Sequence, residues 1–126
     1  MTVFLTAIFS FDFNFRTIPS KKTLKVILGS HYIPKGKGLG DDAHFFCARE
    51  QVIGIADGVS DWAKHGIDAG QYARELMDHS ETVVQEKKRS FVNPATVIRK
   101  AYSRTSAMGT STACIIALNR QVCNCF

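Results

Sequence analysis

Three carboxylates and one glycine carry the chemistry this sequence offers: Asp41 and Asp42 open the stretch "DDAHFFCAREQVIGIADGVSDW", and Asp57-Gly58 stands near its end. Carboxylate and unshielded backbone carbonyl oxygens are hard donors, suited to Mg²⁺ or Mn²⁺, which keep several waters and need few protein ligands. Two such ions about 3.5–4 Å apart can bind a phosphate and lower the pKa of a bridging water for in-line attack on phosphorus. Spacing alone leaves a second reading open, in which Asp57-Gly58 is a turn dipeptide and Asp41-Asp42 a solvated loop end.

The elements around these residues decide whether they meet. Residues 43–48 and 51–56 read as short strands joined by a tight turn at Arg49-Glu50, with Gly54 able to admit a close approach. Residues 42 and 57 are almost symmetric about that turn and should fall opposite one another. Like charges so placed raise one another's pKa unless a cation neutralises them. His44 reads as a half-buried strand histidine, and His65 and His79 show no partner in the sequence. Asp78 reads as a helix-surface charge.

Elsewhere the period assigns the elements. "LKVILGSHYI" (24–33) reads as a strand, and "PKGKGLG" as a connector whose glycine spacing is not a phosphate fingerprint. Ala69, Tyr72, Ala73, Leu76 and Met77 follow a helical stripe that Val83 and Val84 extend, with Asp68 as N-cap and Glu86-Lys87-Lys88-Arg89 as the solvated C-terminal end. "NPATVIRKAYSRT" supplies a second helix, capped by Asn93, begun by Pro94, and turning Val97, Ile98, Ala101 and Tyr102 to one side. Gly109 ends that unit. "STACIIAL" has the continuous apolar character of a central strand.

Composition narrows the class. The chain has 126 residues, 45% hydrophobic and 21% charged, which suits a single globular domain. The net charge of +5 sits in residues 1–40, where Arg16, Lys21, Lys22, Lys25, Lys35 and Lys37 face Asp12 alone. The remainder is neutral, which argues against nucleic acid as a partner. No run approaches the ~20 apolar residues of a membrane span. Residues 1–23 form a leader that reads as a poorly ordered extension, an alternating strand (Phe9, Phe11, Phe13, Phe15), or part of an organelle transit peptide. Cys47 and Cys114 read as small buried hydrophobes, and Cys123 and Cys125 lie two apart on an extended tail.

The stretches "GDDAHFF", "VIGIADGVSDWAKHGIDAGQYARELM" and "AYSRTSAMGTSTACIIAL", in that order, resemble the metal-dependent serine/threonine protein phosphatases of type 2C, in the plant and mitochondrial branch, across residues 24 to about 118. The resemblance implies an α+β fold, the four-layer α-β-β-α sandwich of that family, with this chain as its N-terminal portion. It implies that Asp57 bridges two Mg²⁺ or Mn²⁺ ions, that Gly58 lends a carbonyl, and that Asp42 with Asp41 acts through bound waters. The implied substrates are phosphoserine and phosphothreonine proteins. Relatives usually carry two glycines where Ser60-Asp61 stands here, and their domain runs about twice as far, with further metal-binding aspartates; residues 119–126 diverge. The expectation is therefore a phosphatase of weak or absent activity, the alternatives being a non-catalytic binding module or an unstable incomplete product.

Overall fold

The computed structural model describes residues 2–11, 24–33, 39–87, 91–119 and 122–126. Its order is β1 (Thr2–Phe11), β2 (Leu24–Ile33), β3 (Asp42–Cys47), β4 (Val52–Gly58), a short 3₁₀ helix (Ser60–His65), α1 (Ala69–Glu86), α2 (Pro94–Arg104), β5 (Ser111–Asn119) and β6 (Val122–Cys125). Strands β3-β4-β5-β6 form one antiparallel sheet in that order, and β1-β2 form a separate two-stranded ribbon. The expected strand at 24–33 is present with those bounds.

The leader departs from the extension reading: residues 2–11 pair along their whole length with β2. The tail likewise contributes β6 to the edge of β5. Residues 12–23 and the greater part of the 34–40 connector lie outside the described residues. Among the described residues, no helix is long and apolar enough to cross a membrane.

Alternation along the sheet separates two faces. Phe45, Cys47, Val52, Ala56, Ile115 and Ala117 join Ala73, Leu76, Met77, Val83, Val84, Val97 and Ala101 in one buried core beneath the helices. Burial of a Val, Leu or Met side chain contributes about 1.5–3 kcal/mol, so this face holds the unit together. A Cβ on Gly54 would lie 2.2 Å from Phe45 Cε1, which confirms the close approach read there. The opposite face carries Asp42, His44, Ile53, Ile55, Asp57, Thr112 and Cys114 by the same alternation. The sheet with helices on one face is part of the sandwich, not the whole of it.

Both helix starts match their capping residues. Asp68 accepts a hydrogen bond from Gly70 N (2.9 Å), and Asn93 accepts one from Thr96 N (3.2 Å), with Pro94 in the first turn. Two details differ from expectation. Helix α1 stops at Glu86, so Lys87 caps it, and Lys88 and Arg89 fall outside the described residues. Tyr102 is 65% exposed, because α2 buries only Pro94, Val97 and Ala101 and leaves Ile98 half-covered. The stripe facing the core is narrower than the sequence period suggested.

Glu75 does the work of fixing the α2–β5 loop. Its carboxylate accepts from Ser106 N (2.8 Å), Ser106 Oγ (2.9 Å) and Ala107 N (2.8 Å). The Ser106 backbone bond, chiefly, holds the Glu75 carboxyl below its ordinary range. Hydrogen bonds to charged groups contribute about 1.5–3 kcal/mol, so Glu75→Gln is expected to cost about 1–2 kcal/mol in urea unfolding at pH 7. Because the folded pKa is depressed, that stabilisation is present above about pH 4.5 and is lost as pH falls through the folded value. Parent and variant curves should converge in acid; a constant gap would contradict this assignment.

Candidate metal centre

The hairpin brings the predicted acids together. Asp42 and Asp57 are direct cross-strand partners, and Asp57 is in turn opposite Thr112 on β5, so the three residues form a row across three strands at one end of the sheet. The turn is set by residues 48–51: Gln51 adopts φ 53° and its Nε2 donates to Ala48 O (2.7 Å). That turn fixes the register that puts one aspartate against the other.

Asp42 is 7% exposed, and in its ionised form neither carboxylate oxygen has a donor, so that only a proton shared with Asp57 could hydrogen-bond it. A buried, unpartnered carboxylate is costly as an anion. Burial first, then the hydrogen bond and charge of Asp57 and the charge of Asp41, push its pKa from 3.8 up to about 6. A hydrogen bond between two carboxylates needs a shared proton. A cation would take that proton's place. Mg²⁺ is typically held by one or two carboxylates plus waters, which is the donor set this row supplies. Among the described residues, no group of three or more His, Cys, Asp or Glu converges to enclose an ion, so the row is a partial shell.

Asp41 stands just before β3 and is held differently. Its Oδ2 accepts from Ser60 Oγ (2.9 Å), and its carbonyl accepts from Gly58 N (2.9 Å). Ser60 thus engages Asp41 directly at the position where two glycines were expected. Gly58 has no room for a side chain: a Cβ there would lie 2.2 Å from Ala69 O and 2.8 Å from Asp41 O. Gly70 is equally confined, with Gly40 O at 2.1 Å from its would-be Cβ. The N-terminus of α1 therefore lies flush against the backbone that carries Asp41 and Asp42.

Several supports escaped the sequence reading. Arg74 donates from Nη1 to Gly40 O (2.8 Å) and from Nη2 to the Asp68 carboxylate, tying the approach to β3 onto α1. Trp62 Nε1 donates to Thr110 Oγ1 (2.9 Å), anchoring the 3₁₀ helix beside the start of β5, and Gly66 closes that helix at φ 73°. His65 meets the Trp62 ring edge-on, with centroids 6.2 Å apart, and His79 Nε2 lies 3.6 Å from Glu75, so both have partners after all. Asp68 and Arg74 are six residues apart, outside the i, i+3 and i, i+4 spacings of helix pairs, so the sequence carried no signal for the clamp.

A groove of about 320 Å³ opens on this face, lined by Asp42, Ile55, Asp57, Thr112 and Cys114 among others. Cys114 is half-buried there, whereas Cys47 is buried.

No protein-family model matches the chain. Among curated proteins it is 50% identical over 103 residues to "Probable protein phosphatase 2C 55" of Arabidopsis thaliana, covering 79% of this chain and 22% of that protein. It is 49% identical over 106 residues to "Probable protein phosphatase 2C 80" of the same plant (81% and 26%), and 35% identical over 95 residues to the human "Protein phosphatase PTC7 homolog" (70% and 31%). The chain thus spans about a quarter of the length of the plant relatives it matches. Its fold is that of a solved structure, "X-ray structure of the photosystem II phosphatase PBCP", at TM-score 0.64 and 24% identity, covering 94% of this chain and 39% of that one. An alignment covering 79% of 126 residues necessarily includes Asp41 through Gly58. With half of the residues in those alignments of 103 and 106 residues shared, the chain belongs to the type 2C protein phosphatase family.

Proposed function

We propose that this chain carries part of a two-ion metal centre, and that the protein hydrolyses phosphoserine and phosphothreonine esters of proteins. The observation that supports this most is Asp42: a buried carboxylate with no donor, directly opposite Asp57. Asp57 would hold both ions and Gly58 would lend its carbonyl to one, while Asp42 and Asp41 would orient the water shell. Mg²⁺ or Mn²⁺, when bound, neutralises phosphoryl oxygens and lowers the pKa of the attacking water. Asp57 stands in the row at the end of the sheet and is exposed, so its carboxylate is open to solvent.

The test is Mn²⁺ binding by the 126-residue chain, read by electron paramagnetic resonance and thermal shift, beside hydrolysis of a phosphothreonine peptide. At an ion concentration of 100 times Kd the parent should gain about 2.7 kcal/mol, and Asp57→Asn should lose that gain together with any Mn²⁺-dependent turnover. A parent that binds no Mn²⁺ would overturn the reading. A second reading is a phosphoprotein-binding module without turnover. Mn²⁺ and peptide binding with no hydrolysis would select it.

A further inference from the structure

Asp41 is the acid of the metal reading that stands outside the strands, so groups other than the ladder must set its position. Arg74 donates from Nη1 to Gly40 O (2.8 Å) and Gly58 N donates to Asp41 O (2.9 Å), which holds the backbone on both sides of the residue. Those bonds leave the carboxylate free to turn. Ser60 fixes it: its Oγ donates to Asp41 Oδ2 (2.9 Å) from the first residue of the 3₁₀ helix. That helix is in turn held at the start of β5, by Trp62 Nε1 on Thr110 Oγ1 and by Val59 N on Thr110 O (3.0 Å). The charge of Asp41 bears on the buried Asp42 carboxyl beside it, so the orientation of this side chain is felt in the carboxylate row.

We propose that Ser60 is a positioning residue for the metal centre, its hydroxyl holding the Asp41 carboxylate where it meets an ion through a water and not directly. The proposal rests on the metal reading above. The hydroxyl donates and Oδ2 accepts, which leaves Oδ1 for a metal-bound water, whose O–H is the complementary donor. Turning the carboxylate inward to touch the ion would break the bond to Ser60. Ordering the acid before the ion arrives removes that cost from binding. The tether also sets a preference among ions, because Mg²⁺ is small and keeps several waters, whereas Ca²⁺ takes more oxygens directly and in flexible geometry. A tethered Asp41 therefore favours the smaller ions, and a released one can swing onto Ca²⁺.

The experiment measures Mn²⁺ binding to the full chain by electron paramagnetic resonance, with Ca²⁺ as competitor, for Ser60→Ala, Ser60→Thr, Asp41→Ala and the double variant Asp41→Ala/Ser60→Ala. Ser60→Ala should weaken Mn²⁺ binding about three- to tenfold, at the lower edge of what losing an outer partner costs, and should lower the preference for Mn²⁺ over Ca²⁺. Ser60→Thr keeps the hydroxyl and should restore both. In the Asp41→Ala background Ser60→Ala should change neither, because the group it holds is gone. The metal-free urea midpoints of Ser60→Ala and the parent should agree, since the pair is exposed and contributes little to stability. Mn²⁺ bound by Ser60→Ala as tightly as by the parent, or a Ser60→Ala effect that persists without Asp41, overturns the proposal. A metal-free midpoint that falls in step with the lost binding would show a merely structural role and overturns it too. A parent that binds no Mn²⁺ overturns the metal reading and this proposal with it, whereas a parent and a Ser60→Ala variant that bind equally overturn this proposal alone.

Discussion

Asp42→Asn should make the metal-free chain more stable at neutral pH. The Asp42 carboxyl is raised from 3.8 to about 6, by burial first and then by its neighbours Asp57 and Asp41. Below about pH 4 both folded and unfolded chains carry the proton, and its burial costs little. Between about pH 4 and 6 the folded chain keeps a proton that the unfolded chain has released, so stability falls as pH rises. Above that window the whole penalty is present, about 3 kcal/mol. Asparagine has no proton to release, and its amide can donate to Asp57 across the pair.

Urea titrations from pH 4 to 8 would therefore show a falling curve for the parent and a flatter one for the variant, meeting near pH 4. Mn²⁺ should reverse the ranking at pH 7.5, because only the parent keeps the full anionic row. Equal stabilities at pH 7.5 without metal would mean that Asp42 is solvated, and the fit to a cation would lose its main support.

The second large effect is expected at Gly58. A methyl group there meets backbone, not flexible side chain: Ala69 O at 2.2 Å and Asp41 O at 2.8 Å. Relief requires the first turn of α1 to move away from β4, which strains the Gly58–Asp41 hydrogen bond and the core beneath the helix. Overpacking of this kind costs about 1–3 kcal/mol, and more where backbone must yield, so Gly58→Ala should lose about 3 kcal/mol or more and its Mn²⁺ response. Gly66→Ala is the contrast. Its φ of 73° disfavours a side chain, but no atom lies within 4 Å of the added carbon, so about 1 kcal/mol is expected with the Mn²⁺ response intact. Similar losses at both positions would show that conformation, not contact, explains Gly58.

What was legible in the sequence followed from local rules. The Asp42–Asp57 pairing needs only a short hairpin and a count from its turn, and both helix caps need only a residue type ahead of an apolar stripe. The long-range supports were not legible, because they depend on where elements dock. Arg74 reaches Gly40 O, Glu75 holds Ser106 and Ala107, and Trp62 holds Thr110, each across more than thirty residues. Tyr102 shows the converse: its spacing matched a core stripe, yet the neighbouring elements do not cover that edge of α2. Cys114 read as an ordinary core thiol, since alternation alone does not tell which face of a sheet a groove will open on. The alternation of Phe9, Phe11, Phe13 and Phe15 did not locate the leader's strand, which spans Thr2–Phe11 and is defined by its pairing with β2; residues 12–16 lie outside the described residues.

The turn at 48–51 works as a counting device for the site. Side chains alternate along a strand, so one residue inserted between Asp42 and Asp57, if absorbed by a shift in pairing, would send one acid to the helix side while the other stayed in the groove. Two inserted residues would keep the face but slide the acids out of line. Apart from Gln51, whose φ of 53° suits few residues besides Gly and Asn, the composition of this loop is open to change, whereas its length is not. Lengthening by a single residue should erase the carboxylate row as thoroughly as mutating an aspartate, while leaving every acidic side chain in place.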